Sequence, residues 1–383
     1  MKVLGVDPEP GFGGGESQVL GLTLELRGLG HRAELACAPG KALWQKATAA
    51  GIVCHPLAMR NALDLSATLR LRRLVAKGMF DVVHFHTARA HALAPYLKGR
   101  GAVLVVTRRM DYRPNRLFAP WLYGRAVDAA IAISAGVARA LTEAGVSPAA
   151  LTVIASGVDC RRFHPPDEEE RRRARAALGV EDQAVVIGAV GALEPRKGHR
   201  WLLEALALLA RRPQAAAQRA QALCCKIVGE GSLCATLAAQ ARRLGLDAAV
   251  GFMGRVDDTA PLLHAFDLLV LPSLKEGLGV ALLEAMASGL PAVASRVGGV
   301  CEAVEPGRTG LLVEPGDAYA LAQAIERLAA DGPGRRAMGR QARLRAEQLF
   351  SIQESARRTL EVYARCLNAR AGKSGEMAYR CKA

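Results

Sequence analysis

The stretch SLKEGLGVALLEAMASG, Ser273–Gly289, holds two glutamates, Glu276 and Glu284, with seven residues between them. Glu276 stands next to Gly277, and Gly279 opens an apolar run that reads as a helix carrying Glu284 in its second turn. A carboxylate can accept hydrogen bonds from two hydroxyls. The free N–H groups at a helix start can receive a phosphate. Carboxylates on both sides of a helix start suit a ligand with a sugar on each side of a phosphate, which is the pattern of a nucleotide-sugar. The same pair would also arise as helix-start glutamates favoured by the helix dipole, with no ligand at all.

Three other loops could share in such chemistry. GFGGGES, Gly11–Ser17, puts Gly13, Gly14 and Gly15 in a row. Glycine lets a backbone approach a ligand closely and aim N–H groups at an anion, although a merely flexible loop has the same composition. GALEPRKGH places Arg196 and Lys197 at the start of a helix. Cations are unfavourable there, and a bound phosphate would offset them; an ordinary surface loop is the alternative. VGEGSL brings Gly229 and Gly231 to a third helix start. The histidines of HFHTARAH, His84, His86 and His91, lack a cluster of further ligands of the kind that zinc requires, so no metal is expected. The AGKS stretch near the C-terminus has Leu367 where a phosphate loop needs glycine.

Apolar strands and amphipathic helices alternate around these loops. KVLGV, FDVVHFH, AVLVV, DAAIAIS and LTVIASGVD read as strands in the first part of the chain. AVVIGAVGAL, CCKIVG, VGFMG, DLLVLPS, LPAVAS and GLLVEP follow in the second. Continuous apolar strands separated by helices predict parallel sheets covered on both faces. Pro165–Pro166 and the charge run DEEERRRAR mark a change of composition between the parts. The expected domains are an N-terminal Rossmann-like domain over 1–165 and a C-terminal one over 166–350. A helix over 351–368 is expected to pack back on the first domain, followed by a flexible tail over 369–383.

The chain has 383 residues, 51% of them hydrophobic, and single cores usually split beyond roughly 250–300 residues. Its nine cysteines are odd in number, contain no Cys-x-x-Cys and sit mostly in apolar runs, the usage of reduced core residues in a cytoplasmic protein. No signal peptide and no apolar run long enough to span a membrane is read from the chain. The formal net charge is +15, and residues 1–165 carry 21 Lys and Arg against 11 Asp and Glu, a net of +10. That balance admits anionic partners. No recognition motif or aromatic platform supports nucleic acid.

EGLGVALLEAMASGLPAVASRVGGVCEAVEPGRTGLLVEPGD resembles the retaining glycosyltransferases of family 4, the group 1 glycosyltransferases of GT-B fold. So do GGGES, GVDCRRF, GALEPRKG, VGEGSL and FMGRVDD, in order from Gly13 to about Asp317. The resemblance implies two doubly wound domains facing a cleft, with C-terminal helices returning to the N-terminal domain. It implies a nucleotide-sugar donor held mainly by the C-terminal domain, and neither metal nor cofactor. Lys197, with Arg196, would meet the donor phosphates. Glu276 would bind hydroxyls of the transferred sugar and support the developing charge, and Glu284 would bind the ribose. Gly229, Gly277, Leu278 and Gly279 would line the donor, Arg255 and Val256 would lie beside the base, and Gly14 and Gly15 would close on it. Two departures stand out. Ala192 follows Gly191 where many members have arginine, and Arg108–Arg109 stand where members often carry histidine. Arg109 is then a candidate catalytic residue, with Asp111, His84 and His86 as other substitutes. The expected acceptor is a lipid-linked or lipopolysaccharide-type saccharide, reached at the inner face of an anionic membrane, with a small soluble acceptor or a non-catalytic binding protein as alternatives. Helix 66–78, with Arg70, Arg73 and Lys77 on one face, is the membrane candidate.

Overall fold

The structure is a computed structural model that describes residues 1–110, 113–211 and 223–380, the last nine of these by their backbone. The chain forms two compact units, Met1–Gly157 with Ile352–Ala383, and Val158–Ser351.

In the first unit the elements run β1 (Lys2–Asp7), α1 (Gly14–Gly28), β2 (Arg32–Cys37), α2 (Ala42–Ala49), β3 (Cys54–Pro56), α3 (Leu65–Gly78) and β4 (Val82–Phe85). They continue as α4 (Ala88–His91), β5 (Val103–Arg108), α5 (Ala119–Gly124), β6 (Ala129–Ala132), α6 (Ala135–Glu143) and β7 (Leu151–Val153). The strands form one parallel sheet in the order β3-β2-β1-β4-β5-β6-β7. β4 and β5 are buried along their whole length, which explains their unbroken apolar sequence.

In the second unit, α7 (Glu168–Ala177) precedes β8 (Val185–Val190), α8 (His199–Ala210), β9 (Leu223–Val228), α9 (Cys234–Arg243), β10 (Val250–Gly254) and α10 (Ala260–Leu263). β11 (Leu268–Leu271), α11 (Val280–Ala287), β12 (Ala292–Ser295), α12 (Val300–Ala303), β13 (Gly310–Val313), α13 (Ala318–Ala330) and α14 (Gly332–Leu349) complete it. Its parallel sheet has the order β10-β9-β8-β11-β12-β13. Both units are therefore doubly wound, as expected. The strand order reverses between β1 and β4 in one and between β8 and β11 in the other. Ligands of open α/β sheets bind at that switch point, outside the carboxyl ends of the strands.

The division falls earlier than the composition change suggested. Residues 158–165 belong to the second unit because α14 and its neighbours hold them. Val158 N donates to Phe350 O at 2.7 Å, and Arg343 Nη1 donates to both Phe163 O and Ala287 O at 2.6 Å. The chain leaves the first unit at Gly157 and re-enters it at Ile352. A Cβ at Gly157 would lie 2.5 Å from the Ile352 backbone, so only glycine fits there.

The last helix, α15 (Ile352–Arg380), returns to the first sheet and packs on α1 and β5. Its Ala356, Val362 and Tyr363 join a core with Val3, Leu22 and Val103. Of the two long C-terminal helices only α15 returns; α14 stays with the second unit. The helix also continues through much of the segment expected as a flexible tail, and 381–383, with Cys381, lie outside the described residues.

Candidate active-site groups

In the second unit the loops after β8 and β11 are locked together at the switch point. Gly198 has φ 66, and a Cβ there would lie 2.0 Å from Pro272 O. Leu274 N donates to Arg196 O at 2.8 Å. This contact carries Lys197 Nζ to 2.5 Å from Glu276 Oε2, while Ser273 Oγ donates to the same oxygen at 3.2 Å. Both charged side chains are nearly buried, at 13% and 10% exposure. Arg196 turns instead to Glu194, donating from Nε to Oε2 at 2.9 Å.

Gly279, with φ 89, begins α11. Gly277 O accepts from Gly299 N at 3.1 Å, and Leu278 is buried. Two turns on, Glu284 Oε2 accepts from Thr259 Oγ1 at 3.4 Å. Burial pushes the Glu284 carboxyl up to about 7; Arg162 and Thr259 pull it down by less, and Asp258 adds to the rise. The two glutamates therefore sit in unlike settings. Glu276 is charged and paired with Lys197 in a loop, whereas Glu284 is a desolvated carboxyl on a helix.

Gly229 has a packing duty as well. A Cβ there would sit 2.0 Å from Gly191 O, and its N–H donates to Gly254 O at 2.8 Å, so it ties the ends of β8, β9 and β10 together. Arg255 and Val256 follow on the β10 loop, where the Arg255 side chain meets Asp257 at 3.5 Å.

In the first unit a cavity of about 190 Å³ opens at the carboxyl ends of β1, β4 and β5. Asp7, Gly15, Glu16, His86, His91 and Arg109 are among its walls. Gly14 lies in the same first turn of α1 as Gly15. Arg109 Nη1 donates to Ser156 Oγ at 3.4 Å, and its buried Nε has no hydrogen-bond partner among the described residues. Burial pushes the Asp7 carboxyl up to about 7, reinforced by Glu16, and lowers Arg109 to about 10 against the pull of Asp7 and Glu16. Arg108 is not available in the same way, because Nε donates to Met110 O at 3.1 Å and Nη1 to Tyr123 OH at 3.2 Å.

The histidines divide. His84 is buried away from the cavity walls, with Nδ1 2.6 Å from Tyr363 OH and Nε2 2.7 Å from Thr107 Oγ1. Burial lowers it to about 3. His86 stacks on it, ring centres 4.0 Å apart, and lines the cavity. His86, not His84, can therefore meet a ligand there. Asp111 lies outside the described residues.

Residues 12–162 match the family described as Glycosyltransferase Family 4, and residues 184–331 match Glycosyl transferases group 1. The D-inositol 3-phosphate glycosyltransferase of Corynebacterium kroppenstedtii is 30% identical over 312 residues, 78% of this chain and 67% of its own length. The chain is a family 4 glycosyltransferase. The enzyme of the same description from Kribbella flavida is 32% identical over 317 residues, 78% of this chain and 74% of its own. Among solved structures, Anabaena HepE in complex with UDP-glucose is 25% identical, has a TM-score of 0.81 and covers 94% of this chain and 99% of its own.

This glycosyltransferase also holds polar groups that the sequence reading passed over. Ser273 is buried beside Glu276, and Thr259 and Arg162 act on Glu284. Asp7 closes the apolar strand KVLGV, and a lone carboxylate at the carboxyl end of a strand was a legible signal. Arg162 stands inside a motif already quoted, but its approach to Glu284 depends on the path of residues 158–165.

Proposed function

We propose that this glycosyltransferase is a retaining enzyme that takes a nucleotide-sugar without a metal and transfers the sugar to a hydroxyl of a small soluble acceptor. One observation carries the donor reading: Lys197 and Glu276 meet at a switch point whose next helix holds Glu284. The UDP-glucose complex of HepE and the D-inositol 3-phosphate names of the relatives support it.

In the reaction the bond from the sugar C1 to the phosphate oxygen breaks as the acceptor oxygen forms its bond to C1. Lys197 takes up the charge that develops on the departing phosphate, together with N–H groups near Gly277 and Gly279. Glu276, released from Lys197, accepts hydroxyls of the sugar and supports its positive character. The departing phosphate oxygen takes the acceptor's proton from the same face, so no carboxylate need form a covalent intermediate. Glu284 accepts the ribose hydroxyls, with Arg255 and Val256 beside the base. Lys197 stands where a metal would otherwise be needed to offset the phosphates.

Product made from UDP-glucose and D-inositol 3-phosphate tests this by NMR of the anomeric proton. An α-linked product, formed equally in EDTA, is expected. A β-linked product overturns retention, and activity lost in EDTA and restored by Mg²⁺ overturns the metal-free reading.

A lipid-linked saccharide of the cell envelope is the second reading, favoured by the exposed Leu117, Phe118 and Trp121 around α5 and by exposed Arg70, Arg73 and Lys77 on α3. Each basic residue near an anionic surface contributes about 1 kcal/mol. Binding to anionic vesicles that falls with salt and is weakened in R70E/R73E/K77E supports a peripheral membrane site. No sedimentation with vesicles at low salt removes this reading. Among the described residues no helix is long and apolar enough to cross a membrane.

A further inference from the structure

Arg343 on α14 is spent on the protein itself. Nη1 donates to Phe163 O and to Ala287 O, both at 2.6 Å, and Nη2 donates to Cys160 O at 3.0 Å. Nε and Nη2 each reach Glu347 Oε1 at 2.7 Å. These contacts match the donors of a guanidinium, whose planar fork fixes their directions.

Each carbonyl that Arg343 holds leads to Glu284. Ala287 closes α11 one turn after Glu284, and a carbonyl at a helix end has no partner within the helix. α14 lies directly against that end, since a Cβ at Gly339 would fall 2.1 Å from Gly289 O. Cys160 and Phe163 belong to a turn that Asp159 braces. Its Oδ1 accepts from Arg161 N at 3.0 Å, and its carbonyl accepts from Phe163 N at 2.9 Å. Arg162 projects from that turn and donates from Nη2 to Asp258 Oδ1 at 2.8 Å. Thr259, the next residue after Asp258, donates to Glu284 Oε2 at 3.4 Å. The contacts close a ring: Arg343, the 159–163 turn, Arg162, Asp258 and Thr259, Glu284, and α11 back to Arg343. Burial raises the Glu284 carboxyl, and Arg162 and Thr259 are the groups that pull it back.

We infer that Arg343 is a positioning residue for nucleotide binding. It clamps the 159–163 turn to the end of α11, and the clamp holds Arg162, Thr259 and Glu284 in the one arrangement that receives the ribose. The inference rests on the donor reading of Glu284. It extends that reading to a side chain whose donors are taken up by protein, so that it acts through Glu284 and not on the nucleotide.

Calorimetry of UDP binding to the full chain tests this in a double-mutant cycle. Arg343→Gln, which keeps an amide for one carbonyl, should weaken UDP about tenfold, a coupling typical of residues in one network. Glu284→Gln should weaken it as well. In the double variant the Arg343→Gln change should add less than about twofold, because the group that Arg343 positions is already disabled; two independent losses would multiply. Arg162→Ala probes the far side of the ring. Its ion pair with Asp258 is half-exposed, so the fold withstands the loss, and UDP should weaken about threefold in the wild-type background and not in Glu284→Gln. Unchanged UDP affinity in either Arg343→Gln or Arg162→Ala, or losses that multiply with that of Glu284→Gln, overturns the inference while the donor reading stands. If Arg343→Gln does not fold, the Arg162→Ala cycle decides. If Glu284→Gln binds UDP like the wild type, the donor reading at Glu284 fails and the inference falls with it.

Discussion

Glu276 in the second unit has Lys197 and Ser273 on one carboxylate oxygen, whereas Asp7 in the first keeps Oδ2 with no hydrogen-bond partner among the described residues. Both lie at the carboxyl end of a parallel strand beside a switch point. The loops around Glu276 are zipped backbone to backbone through Gly198, Pro272 and Leu274. The charge there is compensated before any ligand arrives. The cavity around Asp7 instead holds a carboxyl, two neutral imidazoles and a desolvated guanidinium whose potential is only partly used. On the proposed function, one half would exchange a partner on binding and the other would gain partners that it lacks. That difference sets opposite expectations for substitutions.

The largest effect should come from the paired half. Lys197→Ala and Glu276→Gln should each lower kcat by about 10³-fold, the scale of a lost charge-stabilising group, with nucleotide affinity reduced much less in Glu276→Gln. Initial rates and calorimetry with UDP measure both. Equal, small losses in kcat would show that the pair is only structural.

Stability should then separate the halves by sign. Lys197→Ala leaves Glu276 without its countercharge and should destabilise the protein by about 3 kcal/mol. Asp7→Asn removes a carboxyl that burial holds up at about 7 against an ordinary 3.8. Between those values the folded state binds the proton that the unfolded state has lost, so stability falls as pH rises from about 4 to about 7. At pH 8 the ionised Asp7 opposes folding by up to about 4 kcal/mol, and Asp7→Asn should recover part of it, about 1–2 kcal/mol. Urea unfolding at pH 5 and pH 8 checks this; a loss of stability at pH 8 would mean that Asp7 is satisfied in solution.

The smallest effect sharpens the comparison inside the donor half. Glu284, raised to about 7, must be ionised to accept two ribose hydroxyls. UDP affinity should therefore rise with pH and level off above about 7, changing about tenfold per pH unit on the acid side. Glu284→Gln should bind more weakly and lose that slope. A slope that survives the substitution assigns it to another group.

The second unit was the more legible because its signals are local. Gly198 and Gly279 mark positive φ, and the spacing of Glu276 and Glu284 across a helix start survives in any structure that keeps that loop and helix. The parallel sheets followed from apolar runs that only double-sided burial explains. The amino-acid sequence by itself therefore determined two doubly wound units and the loops that carry Lys197, Glu276 and Glu284. Tertiary structure decided what no short window holds. Arg196 turns to Glu194, residues 158–165 join the second unit, and α15 crosses back to place Tyr363 on His84. The cavity of Asp7, His86, His91 and Arg109 draws on three strand ends and two helix starts. Those residues stand far apart in the chain, and their shared burial exists only once β1, β4 and β5 are side by side.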